Sequence, residues 1–241
     1  MARICSLVRL TLSAVTQSVL RCTALVGLWF FRGLGVGLGL LSALSLLGGV
    51  SAAHSAPRAA LPYRSIVIRT AHEVWGLDAP VAVFAAQIQA ESDWNPDAVS
   101  HVGARGLAQF MPDTAAWLPS VAPSDPLLAS PAPHCPPWAI RALVAYNLWL
   151  SKRVQGATEC DRAAFYLSAY NGGLGWVQRD KKRAAEHGGD PLLWRDVQPV
   201  NAGRSQAAKR ENAAYPDKIL ARFQADYLAW GPGVGDACVC Q

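Results

Sequence analysis

The sequence predicts a mostly α-helical domain that follows an N-terminal export signal or membrane segment. Apolar residues recur at helical spacing through much of residues 64–230, and no convincing stretch alternates apolar and polar residues as a half-buried strand would. Residues 33–53 form an uncharged, apolar run. At 241 residues, the chain holds one ordinary domain besides such a segment, because a typical domain takes roughly 100–200 residues.

The N-terminal segment is expected to direct export or to anchor the chain. Four arginines precede residues 33–53 and indicate an N-terminus that stays inside the cell. The run is long enough to cross a bilayer, which takes roughly 20 residues, yet its six glycines make it a poor permanent anchor. Small residues at Val50, Ser51 and Ala52 also offer a cleavage site. A cleaved signal peptide and an uncleaved segment that anchors the protein and later releases it both stay open.

Three parts of the chain follow from this pattern. Residues 1–56 are the signal or signal-anchor segment, residues 57–230 the globular domain and residues 231–241 a Gly-rich tail that contains cysteine. Within the domain, the predicted helices cover residues 64–74, 81–90, 138–154, 162–171 and 216–230.

Residues that start or stop helices support these limits. Asp78 is the expected N-cap of the second helix, with Pro80 in its first turn, and Pro216 is expected to open the last helix. Residues 112–137 contain eight of the sixteen prolines, which predicts a short helix followed by an extended loop. Residues 180–210 are polar and contain glycine, so we expect a loop with short helices there.

The charge distribution argues against a nucleic-acid-binding protein. The net charge is +5, but residues 1–72 contain seven arginines and no acidic residue. The remaining 15 basic residues are outnumbered by 17 acidic ones, so the folded part lacks the basic surface that binds phosphates. We expect no nucleic-acid partner and a monomer.

Four cysteines follow the leader, and an even number fits disulfide formation outside the cytosol. The candidates are Cys135, Cys160, Cys238 and Cys240. A helix over residues 136–154 would hold Cys135 and Cys160 about 25 Å apart, far beyond the ~7 Å limit between bridged Cα atoms. We therefore predict that Cys160 pairs with Cys238 or Cys240. No histidine lies near the tail and no CxxC pair occurs, so no metal site is expected.

Glu91 is the most informative candidate for chemistry. It lies three residues after Ile88 and seven after Phe84, which places an acid on the core face of the second helix. Asn95 and Pro96 should end that helix soon afterwards, and a helix C-terminus disfavours negative charge. Burial and the helix dipole both raise a carboxyl pKa, as a general acid near neutral pH requires. A solvated glutamate on a frayed last turn is the alternative.

Four motifs in order resemble those of the family 1 soluble lytic transglycosylases. They are ESDWNP at residues 91–96, SHVGARGLAQFMPDTA at 100–115, AYNGG at 169–173 and ENAAY at 211–215. The resemblance implies a lysozyme-like helical domain of the goose-type and SLT kind, with residues 57–230 as the catalytic domain. It also implies an exported enzyme that needs no cofactor, in the periplasm or cell wall, with peptidoglycan glycan strands as its partner.

The resemblance further implies roles for individual residues. Glu91 would protonate the bond between N-acetylmuramic acid and N-acetylglucosamine and then deprotonate the muramic 6-hydroxyl, which gives a 1,6-anhydro product. The other residues implied to line the cleft are Ser92, Ser100, Gln109, Met111, Tyr170, Asn171, Glu211 and Tyr215. Gly103 and Gly106 would let the backbone pass close to a sugar. The chain departs from the family pattern at Ala108, Asn212 and Pro216.

Other functions stay open at this point. A hydrolytic lysozyme of the goose type shares the implied fold, and a non-catalytic peptidoglycan-binding assembly factor would belong to a different class. The leader, the sequence from Phe165 to Trp176 and the cysteine-containing tail resemble phage or prophage lysis enzymes, with housekeeping or conjugation-associated wall remodelling as the alternative.

Overall fold

The structure, a computed structural model, describes residues 54–235. The α-helices are α1 Arg64–Val74, α2 Val81–Ser92, α3 Pro112–Trp117, α4 Pro136–Ser151, α5 Glu159–Gly172, α6 Leu174–Glu186, α7 Trp194–Val197 and α8 Gln206–Asp217. Shorter helical stretches are the 3₁₀ helices Arg58–Tyr63, Leu118–Ser120 and Gln224–Trp230 and the π-helix Lys218–Phe223. In residues 54–235 there is no strand, only isolated bridges from Arg105 to Val99 and Phe110. The predicted mostly helical class is therefore confirmed.

Most of the predicted leader, residues 1–56, lies outside the described residues, as do Cys238 and Cys240. Across residues 54–235, none of the helices has both the length and the apolar character that a membrane crossing requires.

Helix α2 lies in the middle of the domain. All residues from 81 to 88 are buried, including Gln87. Its neighbours are α1, the π-helix Lys218–Phe223 and the 3₁₀ helix Gln224–Trp230. A helix covered by protein on all sides is apolar all round rather than along one stripe. The stripe of Phe84 and Ile88 therefore marks a helix that is buried on every face. The other helices complete the layer around it: α1 packs on α4, α4 on α5, and α5 on both α6 and α8.

The start of α2 differs from the prediction. Pro80 is its N-cap, not Asp78, and no side chain caps the helix. Instead, the backbone N–H of Ala82 donates to the carbonyl oxygen of Pro232 over 3.0 Å. This bond satisfies one of the free N–H groups of the first turn. The described part of the Gly-rich tail thus packs on the domain, where the side chain of Gln224 also holds the backbone of Val234.

The loop with short helices predicted over residues 180–210 is confirmed only for residues 187–205, which contain α7, and is wrong at both ends. Helix α6 extends to Glu186, and α8 begins at Gln206. The polar pattern is misleading because Asp180 is buried, where it forms ion pairs with Arg204 and Lys209. The glycines of this stretch lie only in the connections between the helices.

The prediction that Pro216 opens the last helix is also wrong. Helix α8 starts after Ser205, whose hydroxyl accepts a hydrogen bond from the backbone of Ala208, and Pro216 lies in its last turn. Proline has a φ angle that suits a helix but lacks the N–H for the hydrogen-bond ladder. The chain continues beyond it as a π-helix, in which the ladder is wider.

The Pro-rich segment forms the predicted short helix and loop, and the loop supports the chain that follows α2. A Cβ atom on Gly106, which has a φ of 74°, would lie 1.8 Å from the carbonyl oxygen of Pro133. A ring nitrogen of His134 also forms a hydrogen bond with the carbonyl oxygen of Pro96 over 3.1 Å. The small size of Gly106 therefore permits close contact with the Pro-rich loop.

The positions of Cys135 and Cys160 in the helices are compatible with the predicted pairing of Cys160 with a cysteine of the tail. Cys135 is the N-cap of α4, and Cys160 lies in the first turn of α5, which begins beyond the far end of α4. The 16 residues of α4 extend about 24 Å at ~1.5 Å per residue. Both cysteines are disulfide-bonded, and the Sγ atom of Cys160 lies 3.6 Å from the carbonyl oxygen of Val234.

We expect non-reducing peptide mapping to recover a peptide that joins Cys160 to Cys238 or Cys240. The tail residue Val234 is already next to Cys160, so only a short length of chain separates the predicted partners. Digestion of the same sample after reduction is the control. Recovery of a Cys135 to Cys160 crosslink would contradict the prediction.

Candidate active site

A cleft of about 570 Å³ opens beside the C-terminal end of α2. It brings together residues from α2, from the loop after α2 and from α4, α5 and α8. The predicted site residues that line it are Glu91, Ser100, Gln109, Met111, Tyr170, Asn171, Glu211 and Tyr215. Residues far apart in the sequence therefore meet at one surface, and the only predicted site residue outside this lining is Ser92.

Glu91 lies in the last turn of α2 and is partly exposed to the cleft. The hydroxyl of Tyr215 donates a hydrogen bond to its Oε1 atom. Burial raises the pKa of Glu91 to about 7, and the negative charge of Glu211 adds to this rise. The bond from Tyr215 and the positive charge of Lys218 oppose it. A carboxyl with this pKa exists in both its acid and its base form near neutral pH.

The chain leaves α2 through two residues in the left-handed conformation, Asp93 with a φ of 50° and Trp94 with a φ of 65°. Trp94 is buried, and its indole N–H donates to the hydroxyl of Tyr227 over 2.7 Å. Helix α2 therefore ends before Asn95 and Pro96, the residues predicted to stop it. This abrupt end leaves Glu91 at the last turn, next to the cleft.

Two tyrosines lie near the carboxyl group of Glu91, Tyr170 from α5 and Tyr215 from α8. The hydroxyl of Tyr170 donates to the carbonyl oxygen of Ala108 over 2.8 Å, so α5 is tied to the loop of the second motif. Burial raises the pKa of Tyr170 and of Tyr215 well above the usual tyrosine value. Both hydroxyls therefore keep their protons and act as hydrogen-bond donors in this site.

The loop of the second motif uses its polar side chains to hold its own shape. The hydroxyl of Ser100 accepts a hydrogen bond from the backbone N–H of Ala104 over 3.0 Å. The amide nitrogen of Gln109 donates to the carbonyl oxygens of Ala98 and Gly106. Both residues still line the cleft, but these atoms are already engaged. Met111, at the end of the loop, presents an exposed apolar side chain to the cleft.

Asn171 is oriented by a residue that departs from the family pattern. The amide nitrogen of Asn212 donates to the Oδ1 atom of Asn171 over 3.0 Å and to the carbonyl oxygen of Ser168 over 2.8 Å. A Cβ atom on Gly172 would lie 2.5 Å from this nitrogen, so glycine permits the close packing of α5 on α8. Asn212 therefore connects the third motif to the fourth, while Glu211 beside it is exposed at the cleft.

Ser92 is placed apart from the other predicted residues. Its hydroxyl donates to the carbonyl oxygens of Ile88 and Leu107, at 3.3 Å and 2.9 Å. It lines a neighbouring depression rather than the main cleft. The hydroxyl of Ser92 thus connects the end of α2 to the loop of the second motif. This position differs from the predicted one in the cleft.

Several residues that line the cleft were not predicted from the sequence. They are Ala90, His101, Val102, Ala104, Phe110, Thr114, Tyr146, Ala214 and Lys218. Lys218 lies seven residues after Glu211 and three after Tyr215, a spacing that identifies one helix face. Because a helix start was predicted at Pro216, Glu211 and Tyr215 were not expected to share a helix face with Lys218. The string around Tyr146 looks like a chance copy of the third motif, yet its ring lies 5.3 Å from that of Tyr170.

The raised pKa of Glu91 leads to a prediction about stability. The folded protein holds this carboxyl with a pKa of about 7, against 4.5 for an ordinary glutamate, so the wild type loses stability as the pH rises through this window. Glu91→Gln removes that loss. We expect the Tm of Glu91→Gln, relative to the Tm of the wild type, to increase as the pH rises from about 5 to about 8, as measured by calorimetry. A difference in Tm that stays constant over this range would contradict the assigned burial.

Comparisons with known proteins match the chain to one family. The family model described as the transglycosylase SLT domain matches residues 68–192. The chain is 35% identical over 117 residues to the membrane-bound lytic murein transglycosylase F of Shewanella frigidimarina (strain NCIMB 400), which covers 48% of this chain and 22% of the relative. The protein of the same name from Pasteurella multocida (strain Pm70) is 34% identical over 116 residues, with the same coverage. The chain thus spans about a fifth of the length of these relatives.

A solved structure has a similar fold. The crystal structure of the 70 kDa soluble lytic transglycosylase SLT70 from Escherichia coli, at 1.65 Å resolution, superposes with a TM-score of 0.51 over 72% of this chain and 26% of that chain. The sequence identity is 20%. This likeness confirms the predicted lysozyme-like fold class.

Proposed function

Because this chain belongs to the transglycosylase SLT domain family, we propose that it is a lytic transglycosylase of peptidoglycan. Its reaction would cleave the β-1,4 bond between N-acetylmuramic acid and N-acetylglucosamine and leave a 1,6-anhydro sugar. The observation that supports this most directly is one carboxyl group, Glu91, with a pKa of about 7 at the wall of a cleft. The relatives from Shewanella frigidimarina and Pasteurella multocida are named lytic murein transglycosylases.

In the first step, protonated Glu91 donates its proton to the glycosidic oxygen while the bond from C1 to that oxygen breaks. The carbonyl oxygen of the muramic N-acetyl group bonds to C1 and forms a cyclic intermediate. In the second step, the Glu91 carboxylate accepts the proton of the 6-hydroxyl as O6 bonds to C1 and the ring of the intermediate opens. Glu91 ends protonated, so no water and no cofactor is consumed.

The surroundings of Glu91 suit both steps. Burial keeps a large share of the group protonated near neutral pH, as the first step requires. The hydroxyl of Tyr215 and the positive charge of Lys218 stabilise the carboxylate that forms when the proton leaves. A two-carboxylate hydrolysis would need a second acid opposite the first. Among the residues that line the cleft, Glu211 is the other acid, and it is exposed.

Product analysis tests this function. Purified sacculi are digested with the protein, and the soluble fragments are measured by mass spectrometry before and after borohydride reduction. We expect each new muramic end to be one water lighter than a hydrolysis product and to resist reduction. Reducible ends that carry the added water would identify a goose-type hydrolase instead. Binding to sacculi without any soluble fragment would identify a non-catalytic binding protein.

We further propose that the enzyme acts in the cell envelope, where its substrate lies, with residues 1–56 as the segment that exports it. The relatives named membrane-bound lytic murein transglycosylase F support this location. N-terminal sequencing of the recovered enzyme separates the two forms of the leader, because a chain that begins between residues 52 and 58 would be a cleaved product.

A further inference from the structure

A row of buried polar side chains leads from Glu91 into the core between α2 and α4. The Nδ2 atom of Asn147 donates to the Oε1 atom of Gln87 over 2.6 Å, and the Nε2 atom of Gln87 donates to the hydroxyl of Tyr215 over 3.2 Å. The hydroxyl of Tyr215 in turn donates to Glu91. Gln87 and Asn147 have no exposed surface, and neither lines the cleft.

Packing alone does not account for this pair. Apart from Gln87, residues 81–88 of α2 are all apolar. Two buried amides destabilise a core unless every polar atom has a partner. The Oδ1 atom of Asn147 is buried without a hydrogen-bond partner among residues 54–235. Apolar side chains at positions 87 and 147 would fill the same contact between α2 and α4 without that cost.

Every bond of the row runs towards Glu91. Asn147 donates to the oxygen of the Gln87 amide, which leaves the amide nitrogen to face Tyr215. The hydroxyl oxygen of Tyr215 accepts that bond, so its single proton is directed to the Oε1 atom of Glu91. An oxygen that accepts this bond has no room for a proton on the same side. The acidic proton of Glu91 therefore belongs on its other oxygen, Oε2.

We propose that Gln87 and Asn147 are positioning residues, which hold the Tyr215 hydroxyl as a donor to Glu91 and so keep the acidic proton on Oε2. This inference rests on the proposed function, because it concerns the acid of that reaction. The proton is then always on the same oxygen when a substrate arrives. After the transfer, the carboxylate faces a row of donors, each of which polarises the next.

Other groups that act on the Glu91 carboxyl are independent of this row. Lys218 from the π-helix and Glu211 from α8 act on it through their charges, and Tyr170 from α5 lies close enough for its own pKa to respond to Glu91. Substitutions at positions 87 and 147 leave all three in place. A change in the pH dependence of such variants therefore reports on the row of hydrogen bonds.

The test uses the full chain with Gln87→Met and Asn147→Leu, which keep most of the side-chain volume but remove the amides. Initial rates of fragment release from sacculi are measured against substrate concentration between about pH 5 and pH 9. We expect kcat at low pH to fall about three- to tenfold, less than the loss of a general acid, with an unchanged apparent KM. The pH at which kcat declines on the alkaline side should rise by on the order of half a pH unit, because the Glu91 carboxylate loses part of the hydrogen bonding that stabilises it.

Two control variants remove buried hydroxyls outside the row, one in the 3₁₀ helix Gln224–Trp230, which contacts α2, and one in α4. Tyr227→Phe removes a bond to Gln89 of α2, and Ser151→Ala removes one within α4. We expect both to lower Tm and to keep the wild-type pH profile. If an amide variant does not fold, Asn147→Ser replaces it, since its short hydroxyl no longer reaches Gln87.

Wild-type kcat and an unmoved alkaline limb in the folded amide variants would overturn the positioning role and leave the proposed function standing. A wild-type chain that releases no fragments from sacculi would instead overturn the proposed function.

Discussion

Glu91→Gln is expected to reduce the release of soluble fragments from sacculi by several orders of magnitude, in line with the ~10²–10⁴-fold contribution of a general acid that here serves both steps. Glutamine has nearly the same volume as glutamate, and its carbonyl oxygen still accepts the bond from Tyr215. It has no proton to give to the glycosidic oxygen and no charge with which to accept one. We therefore expect the variant to fold and to bind sacculi as the wild type does.

A matched control is Glu159→Gln, which changes an exposed glutamate at the start of α5, outside the cleft. We expect it to release fragments at the wild-type rate. Circular dichroism and a sedimentation assay with sacculi establish folding and binding for both variants. Clearance of sacculi by folded Glu91→Gln at near the wild-type rate would show that another group is the acid.

Asp180→Asn is expected to cause a large loss of stability. The carboxylate of Asp180 pairs with Arg204 and Lys209, and its other oxygen accepts a hydrogen bond from the backbone of Ala202 over 2.8 Å. The side chains of all three charged residues are at most 9% exposed. The substitution would leave two buried positive charges without a counter-charge, which costs about 3–5 kcal/mol. For a domain of this size, Tm would fall by roughly 6–20 °C.

Glu186→Gln on the same helix is the control, because it breaks an exposed pair with Lys182 at 3.9 Å. Exposed pairs of this kind contribute about 0–1 kcal/mol. We expect a change of Tm within the error of a thermal melt. Equal Tm values for the two variants would mean that the Asp180 cluster does not hold α6 to the start of α8.

The difference between these two acids shows which contacts a sequence can reveal. In the sequence, Glu186 and Asp180 both look like polar residues of a surface segment. Only Asp180 pairs with residues some 24 to 29 positions later, Arg204 in a loop and Lys209 in α8. Local spacing does not contain that information. The pattern of residues 180–210 therefore predicts a loop with short helices over the whole stretch, whereas the buried ion pairs connect the part of α6 and the part of α8 that extend into it.

Features that depend on neighbours in the chain were predicted well. The limits of α1 agree with the helix spacing, and the end of α5 lies within one residue of the predicted end. The residues singled out in the four motifs also lie at one cleft, with the exception of Ser92.

The sequence by itself determined the helical class, the order of the motifs and the choice of Glu91, because these depend on residue type and short spacing. Only the tertiary structure decided what surrounds that carboxyl group. Gln87 and Asn147 are ordinary polar residues of two separate helices, and they become neighbours only when α2 and α4 pack. Lys218 reaches the cleft because the helix continues through Pro216. Helical spacing indicated that Glu91 faces the core, but the charges of Lys218 and Glu211, which also act on its pKa, come close to it only through folding.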